Sequence, residues 1–174
     1  TEVTGVDKSI TQVQQARTHG HLHIHHGDAG EYLTSLASET LDLVCCFDVL
    51  EHVPIDVCAD WFQQISRVLK PGGKLIGHVP NGLSPFVGSV YLSDLTHIWC
   101  PVPATIQVLC RYSGLHYVGD YENIGSSSKW RGQFRKFSWK VIRSIFAIIS
   151  TIETGMSSFS MPFTRTFLFV IEKF

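Results

Sequence analysis

The sequence predicts an α/β protein built on a doubly wound, mostly parallel sheet. Three observations carry that prediction. Strand-like and helix-like segments alternate at βαβ spacing over the first eighty residues. Leu41–Phe47 (LDLVCCF) is a nearly continuous apolar run, which suits a strand buried on both faces of a parallel sheet. Lys70-Pro71-Gly72-Gly73 then stops a strongly amphipathic helix directly before another strand.

The elements follow in order. Thr1–Asp7 (TEVTGVD) is a short strand ending in an acid, and Ser9–Thr18 is a helix that Ser9 can cap, with Ile10, Val13 and Ala16 on one side and Gly20 closing it. His21–His26 alternates as a strand, placing His21, His23 and His25 on the solvent side of a sheet edge. A turn at Gly27–Gly30 leads into a short helix over Glu31–Ala37. Asp56–Leu69 is the amphipathic helix, with Val57, Trp61, Ile65, Val68 and Leu69 on its apolar side, and Lys74–Pro80 is the strand after it. Pro101–Arg111 is a further helix, and His116–Ile124 and Thr166–Phe174 are two further strands. The expected organisation is a core over 1–124, a basic amphipathic insertion or lid over 125–165, and a final strand of the same domain over 166–174.

Composition narrows the function. The chain has 174 residues, 44% of them hydrophobic, enough for one domain with a real core. A formal net charge of −1 gives no general argument for nucleic acid, and no secretory signal is visible. Five cysteines with no CxxC pair argue against a disulfide framework or a zinc ribbon and for a reducing compartment, the cytoplasm. Cys45 and Cys46 read as small hydrophobes within their run.

In an open α/β sheet, ligands bind beyond the carboxyl ends of the strands. Asp7, Asp28, the segment Phe47–His52 (FDVLEH) and Pro80-Asn81 occupy those positions. An acid after one strand can accept both ribose hydroxyls of a nucleoside, and an acid after the next can accept the amine of adenine. The ordered set GVDKS, GDAGEYL, LDLVCCFDVLEHV and VLKPGGKLIGHVPN resembles the class I S-adenosylmethionine-dependent methyltransferases, of the type 11/23 kind, from their second strand to their fifth. The same segments do not follow the pattern of NAD-type dehydrogenases.

The resemblance implies a Rossmann-like fold with an antiparallel last strand, lacking the first strand and its glycine-rich loop, as expected of an N-terminally truncated chain. It implies that Asp7 and Lys8 lie at the ribose of S-adenosylmethionine, Asp28 and Ala29 at its adenine, and Phe47 and Asp48 beside its methionine part. Asp48, Glu51 and His52 form DxxEH. With His97 this resembles the ExxEH-plus-His metal site of small-RNA 2′-O-methyltransferases and ubiquinone-pathway O-methyltransferases, with Asp in place of the first Glu. The implied metal ligands are Asp48, Glu51, His52 and His97, for Mg²⁺ or Zn²⁺. Histidine is also the usual base for a hydroxyl acceptor near neutral pH, which makes His52 and His97 the catalytic candidates. His78 falls within a strand, in the core or behind the site.

The insertion holds Lys129, Arg131, Arg135, Lys136, Lys140 and Arg143, with no acid between Asn123 and Ile152. Val141, Ile142, Ile145, Phe146, Ile148 and Ile149 form an apolar side, with Trp130 and Trp139 as amphipathic anchors. Such a helix suits a lid over the acceptor site, with peripheral contact to the inner face of a membrane through 129–149. The expected acceptor is a small molecule, a glycan or a lipid-linked molecule, methylated on oxygen. The alternative is a non-catalytic remnant that docks to a membrane or partner through this helix.

Overall fold

The structure is a computed structural model and describes residues 3–125 and 130–174. Thr1 and Glu2, at the start of the expected first strand, and Lys129 of the basic segment lie outside the described residues. Six strands and six helices follow one another as β1 (Gly5–Asp7), α1 (Ile10–Thr18), β2 (Ile24–His26), α2 (Ala29–Ser35), β3 (Leu41–Phe47), α3 (Ile55–Val68), β4 (Leu69–Pro80), α4 (Gly88–Tyr91), α5 (Pro103–Tyr112), β5 (His116–Glu122), α6 (Trp130–Thr154) and β6 (Thr166–Glu172) among the described residues. A 3-10 turn at Leu50–His52 follows β3. The fold is α/β, mostly parallel, with an antiparallel last strand: β6 pairs antiparallel with both β4 and β5, whereas β3 pairs parallel with β4.

Among the described residues the strands form two sheets, β1-β2 and β3-β4-β6-β5. The outer edge of β3 and the free edge of β1 have no strand partner there. The two-sided burial expected of Leu41–Phe47 therefore does not hold. Leu43 and Phe47 are about half exposed and Cys45 is exposed, because these three lie on the sheet face opposite the core. Val44 and Cys46 point inward, and burial pushes the Cys46 thiol up to about 12.

The core lies on one side of the four-stranded sheet. Cys58, Trp61, Phe62, Ile65 and Val68 of α3, together with Ile106, Leu109 and Cys110 of α5, pack on Leu75 and Val79 of β4 and on Phe167, Phe169 and Ile171 of β6. α3 places its apolar residues at helical spacing on one face. Helices α2 and α3 join the two sheets, with the Trp61 indole lying close over Gly30.

Several boundaries differ from those expected. The histidine-rich strand is only Ile24–His26, so His21 and His23 precede it, and His25 stacks on Tyr32 at 5.5 Å between ring centroids. The Lys70–Gly73 stretch belongs to β4, which begins at Leu69; a register shift against Leu41/Leu43 and a positive φ at Gly72 (76°) accommodate the bend. Helix α4 carried no sequence signal. In α6, Phe146 turns inward on Phe86 and Phe163, whereas its apolar neighbours Val141, Ile142, Ile145, Ile148 and Ile149 are exposed.

Candidate active site

The site residues gather at the carboxyl ends of the strands. At β1, the Asp7 Oδ1 accepts the Ser9 N–H at 2.6 Å, and Ser9 in turn caps α1. At β2, Asp28 is the N-cap of α2: its Oδ1 accepts the N–H groups of Gly30 (2.8 Å) and Glu31 (3.2 Å). Its Oδ2 lies 2.9 Å from Lys8 Nζ. The Lys8 hydrogen bond holds the Asp28 carboxyl below the usual carboxylate range, against an opposing effect of partial burial. Among the described residues Asp7 thus keeps one carboxylate oxygen without a partner, whereas both Asp28 oxygens are engaged, and Ala29 opens the helix beside them.

After β3 the chain turns sharply. Asp48 has φ +52°, a left-handed conformation that Asp tolerates better than most residues. Its N–H donates to the His78 carbonyl at 2.9 Å, and its Oδ1 lies 2.8 Å from His78 Nδ1. His78 Nε2 meets the Asn123 amide at 3.1 Å beyond β5. Phe47 beside Asp48 is half exposed.

Glu51, His52 and His97 form a separate cluster, each offering one ligand atom, all within 4.8 Å of one another. The sequence groups Asp48 with them, but the structure turns it away to His78. The reason is local: Asp48 precedes the 3-10 turn and its left-handed φ breaks the helical spacing that would place it beside Glu51 and His52. Glu51 is 1% exposed, and its Oε2 is buried without a hydrogen-bond partner among the described residues. Burial raises its pKa. The Ile98 N–H donates to the Glu51 carbonyl at 2.9 Å, pinning the His97 segment over the turn.

The hydrogen bonds fix both imidazole tautomers. His97 Nδ1 lies 2.8 Å from the Tyr91 carbonyl, which can only accept, so Nδ1 carries a proton and the lone pair of the neutral ring is on Nε2. His97 Nε2 faces Glu51 Oε1 at 3.9 Å. The single Thr96 hydroxyl proton is donated to Asp94 at 2.7 Å, so that hydroxyl accepts from His52 Nδ1 at 2.8 Å. In the neutral His52 ring the lone pair is then also on Nε2. Two basic imidazole nitrogens and one orphaned carboxylate oxygen suit a divalent cation. With Asp48 absent from the set, nitrogen donors predominate, which suits Zn²⁺ better than Mg²⁺.

His78 and Asn123 are functional candidates that the sequence left undistinguished. The only hint was a histidine in a strand that ends at a ligand-binding edge; its partners come from β3 and from the segment after β5, far away in sequence.

The arrangement places acids and histidines at the carboxyl ends of the strands of an α/β domain, and known proteins share features of it. Residues 1–77 match the family model described as a methyltransferase domain. A ubiquinone biosynthesis O-methyltransferase of Aromatoleum aromaticum is 30% identical over 129 residues, covering 65% of this chain and 54% of that protein. One of the same description from Xylella fastidiosa is 29% identical over 137 residues, covering 66% and 52%. The chain thus spans about half the length of the curated relatives it matches. Among solved structures, a SAM-dependent methyltransferase from Archaeoglobus fulgidus superposes with a TM-score of 0.68 at 20% identity, covering 99% of this chain and 76% of that one. Residues 1–77 are thus similar to methyltransferase domains, and the chain shares its fold with S-adenosylmethionine-dependent methyltransferases of known structure.

Proposed function

We propose that this chain forms the body of an S-adenosylmethionine-dependent O-methyltransferase acting on a small-molecule, glycan or lipid-linked acceptor in the cytoplasm. The observation that carries the reading is the cluster of His52 and His97 with the buried Glu51, their ligand atoms within 4.8 Å of one another, in the segments that follow β3 and β4. When bound, S-adenosylmethionine supplies an electrophilic methyl group on a sulfonium. The free oxygen of Asp7 would accept from the ribose, with Lys8 beside it, and Asp28 with Ala29 would border the adenine. Phe47 and Asp48 would border the methionine part. His52 or His97 would take the proton of an acceptor hydroxyl at Nε2, while Thr96 and the Tyr91 carbonyl hold the rings in the basic tautomer. A divalent cation held by Glu51, His52 and His97 would orient the acceptor oxygen. Calorimetry with S-adenosylhomocysteine tests the cofactor; no heat with the intact protein removes the proposal. Labelled-methyl transfer then tests the histidines: His97→Ala and His52→Ala should each lower turnover by about 10²- to 10⁴-fold.

A second reading concerns where the protein works. Trp130, Phe134, Phe137, Val141, Ile145, Ile148 and Ile152 recur at spacings of three and four along α6, and all are exposed. Arg131, Lys136 and Lys140 flank this stripe, and the only acid on the helix is Glu153 near its end. Pairing two copies of the helix would bring like charges together, whereas an anionic lipid surface complements both the stripe and its flanks. Among the described residues no helix is long and apolar enough to cross a membrane. The helix would therefore lie on a membrane. Arg143 takes no part, because it is turned inward onto Glu122 and the Phe159 and Met161 carbonyls. Co-sedimentation with phosphatidylglycerol vesicles, but not with phosphatidylcholine vesicles, is expected, and Lys136→Glu with Lys140→Glu should abolish it. Equal binding to both vesicles, or none, removes this reading.

A further inference from the structure

Between α4, the end of β5, α6 and the start of β6 lies a cavity of about 570 Å³, within the size range of small-molecule sites. It opens at the carboxyl ends of β4 and β5, the edge that also carries the candidate active site. Phe86 and Trp139, 6.4 Å apart between ring centroids, form an aromatic wall. Two guanidinium groups, of Arg135 and Arg165, face the same space, with Ser89 and Asn123 between them.

The charge is unbalanced. No carboxylate lines the cavity, and neither arginine has an acidic partner within 4.0 Å among the described residues. Glu122, adjacent to Asn123, is turned away: its oxygens meet Arg143 Nε at 3.3 Å, the Phe163 N–H at 2.9 Å and Trp139 Nε1 at 2.9 Å. Arg135 Nη2 donates to the Ile124 and Gly125 carbonyls, and its other donors have no partner among the described residues. Among the described residues the only hydrogen bond of the Arg165 side chain is a 3.5 Å contact with the Ser89 hydroxyl. Like charges facing one cavity repel each other until an anion enters, and an arginine pair is suited to hold a phosphate or carboxylate through several charge-assisted hydrogen bonds. Asn123 is fixed by His78, which is itself fixed by Asp48, so a hydrogen-bonded bridge across three segments ties the cavity wall to the end of β3.

We infer that this cavity binds the anionic group of the acceptor, a phosphate or carboxylate carried on an aromatic or apolar body. The inference rests on the O-methyltransferase reading and specifies its substrate class. Fluorescence of Trp139, identified by comparison with Trp139→Phe, reads occupancy directly. Phenyl phosphate and benzoate distinguish the two anions, with benzyl alcohol as the neutral control. Saturable quenching by at least one anion, none by benzyl alcohol, and about tenfold weaker binding in Arg165→Gln are expected. Arg165→Gln removes a single long contact, so its thermal midpoint should stay at the wild-type value. Quenching by benzyl alcohol as strong as by the anions, no quenching by either anion, or Arg165→Gln binding at wild-type strength overturns the inference. S-adenosylhomocysteine titrated into the same samples reads the methyltransferase proposal separately, so either can fail without the other.

Discussion

Asn81 joins three backbone groups through one buried side chain. It is fully buried just after β4, and its amide donates to the Pro162 and Thr164 carbonyls, both at 2.9 Å, while its Oδ1 accepts the Leu83 N–H at 3.1 Å. Three backbone groups depend on one side chain, which anchors the segment leading into β6 beside the cavity. Asn81→Ala should lower unfolding stability in urea by about 2–4 kcal/mol, through backbone groups left unpaired in the interior. Asp28 gives a pH-dependent effect. Its folded-state pKa is depressed, so the stability it contributes is present above the ordinary carboxylate value of about 3.9 and is lost as pH falls through the lower folded value. Lys8→Met should shrink this acid-limb loss in thermal melts between pH 5 and 2, roughly the range over which a depressed carboxylate titrates, and leave the rest of the pH profile in place. Both roles differ in how legible they are. An acid opening a helix after GD is visible as a cap in the sequence, whereas the carbonyls that Asn81 serves lie more than eighty positions away.

At the scale of elements, β4 and β6 are locked by an exchange of size. Gly77 has no side chain because the Phe169 ring occupies its place: a Cβ there would sit 2.0 Å from the ring. Gly77→Ala should cost about 1–3 kcal/mol by overpacking, and Phe169→Leu in the same chain should recover part of that loss. Helices α1, α3 and α5 were readable from capping, periodicity and the residues that end them, because those signals are local. The single-face exposure of β3 was not, since an apolar run reads alike whether one face of the strand is covered or both; only the elements packed on the sheet decide. The same limit applies to the site. The DxxEH spacing located Glu51 and His52, but the left-handed turn at Asp48 removed one predicted member and gave it to His78.

Across the whole molecule, the β1-β2 sheet is joined to the four-stranded sheet through α2 and α3, with Trp61 at the junction over Gly30. Trp61→Ala should cost about 3–5 kcal/mol as a large core truncation. Hydrogen exchange should then show α2 and β2 opening before β4 and β6. The edge of β3 has a separate kinetic consequence. The Asp48 N–H bonds to the His78 carbonyl of β4, and N–H directions alternate along a strand, so the Val44 and Cys46 amides face β4 as well. The amides of Leu43, Cys45 and Phe47 point the opposite way, to the unpaired edge. One strand thus carries two exchange clocks in strict alternation, even positions slow and odd positions fast. An extended peptide seated along that edge would bring the two into step.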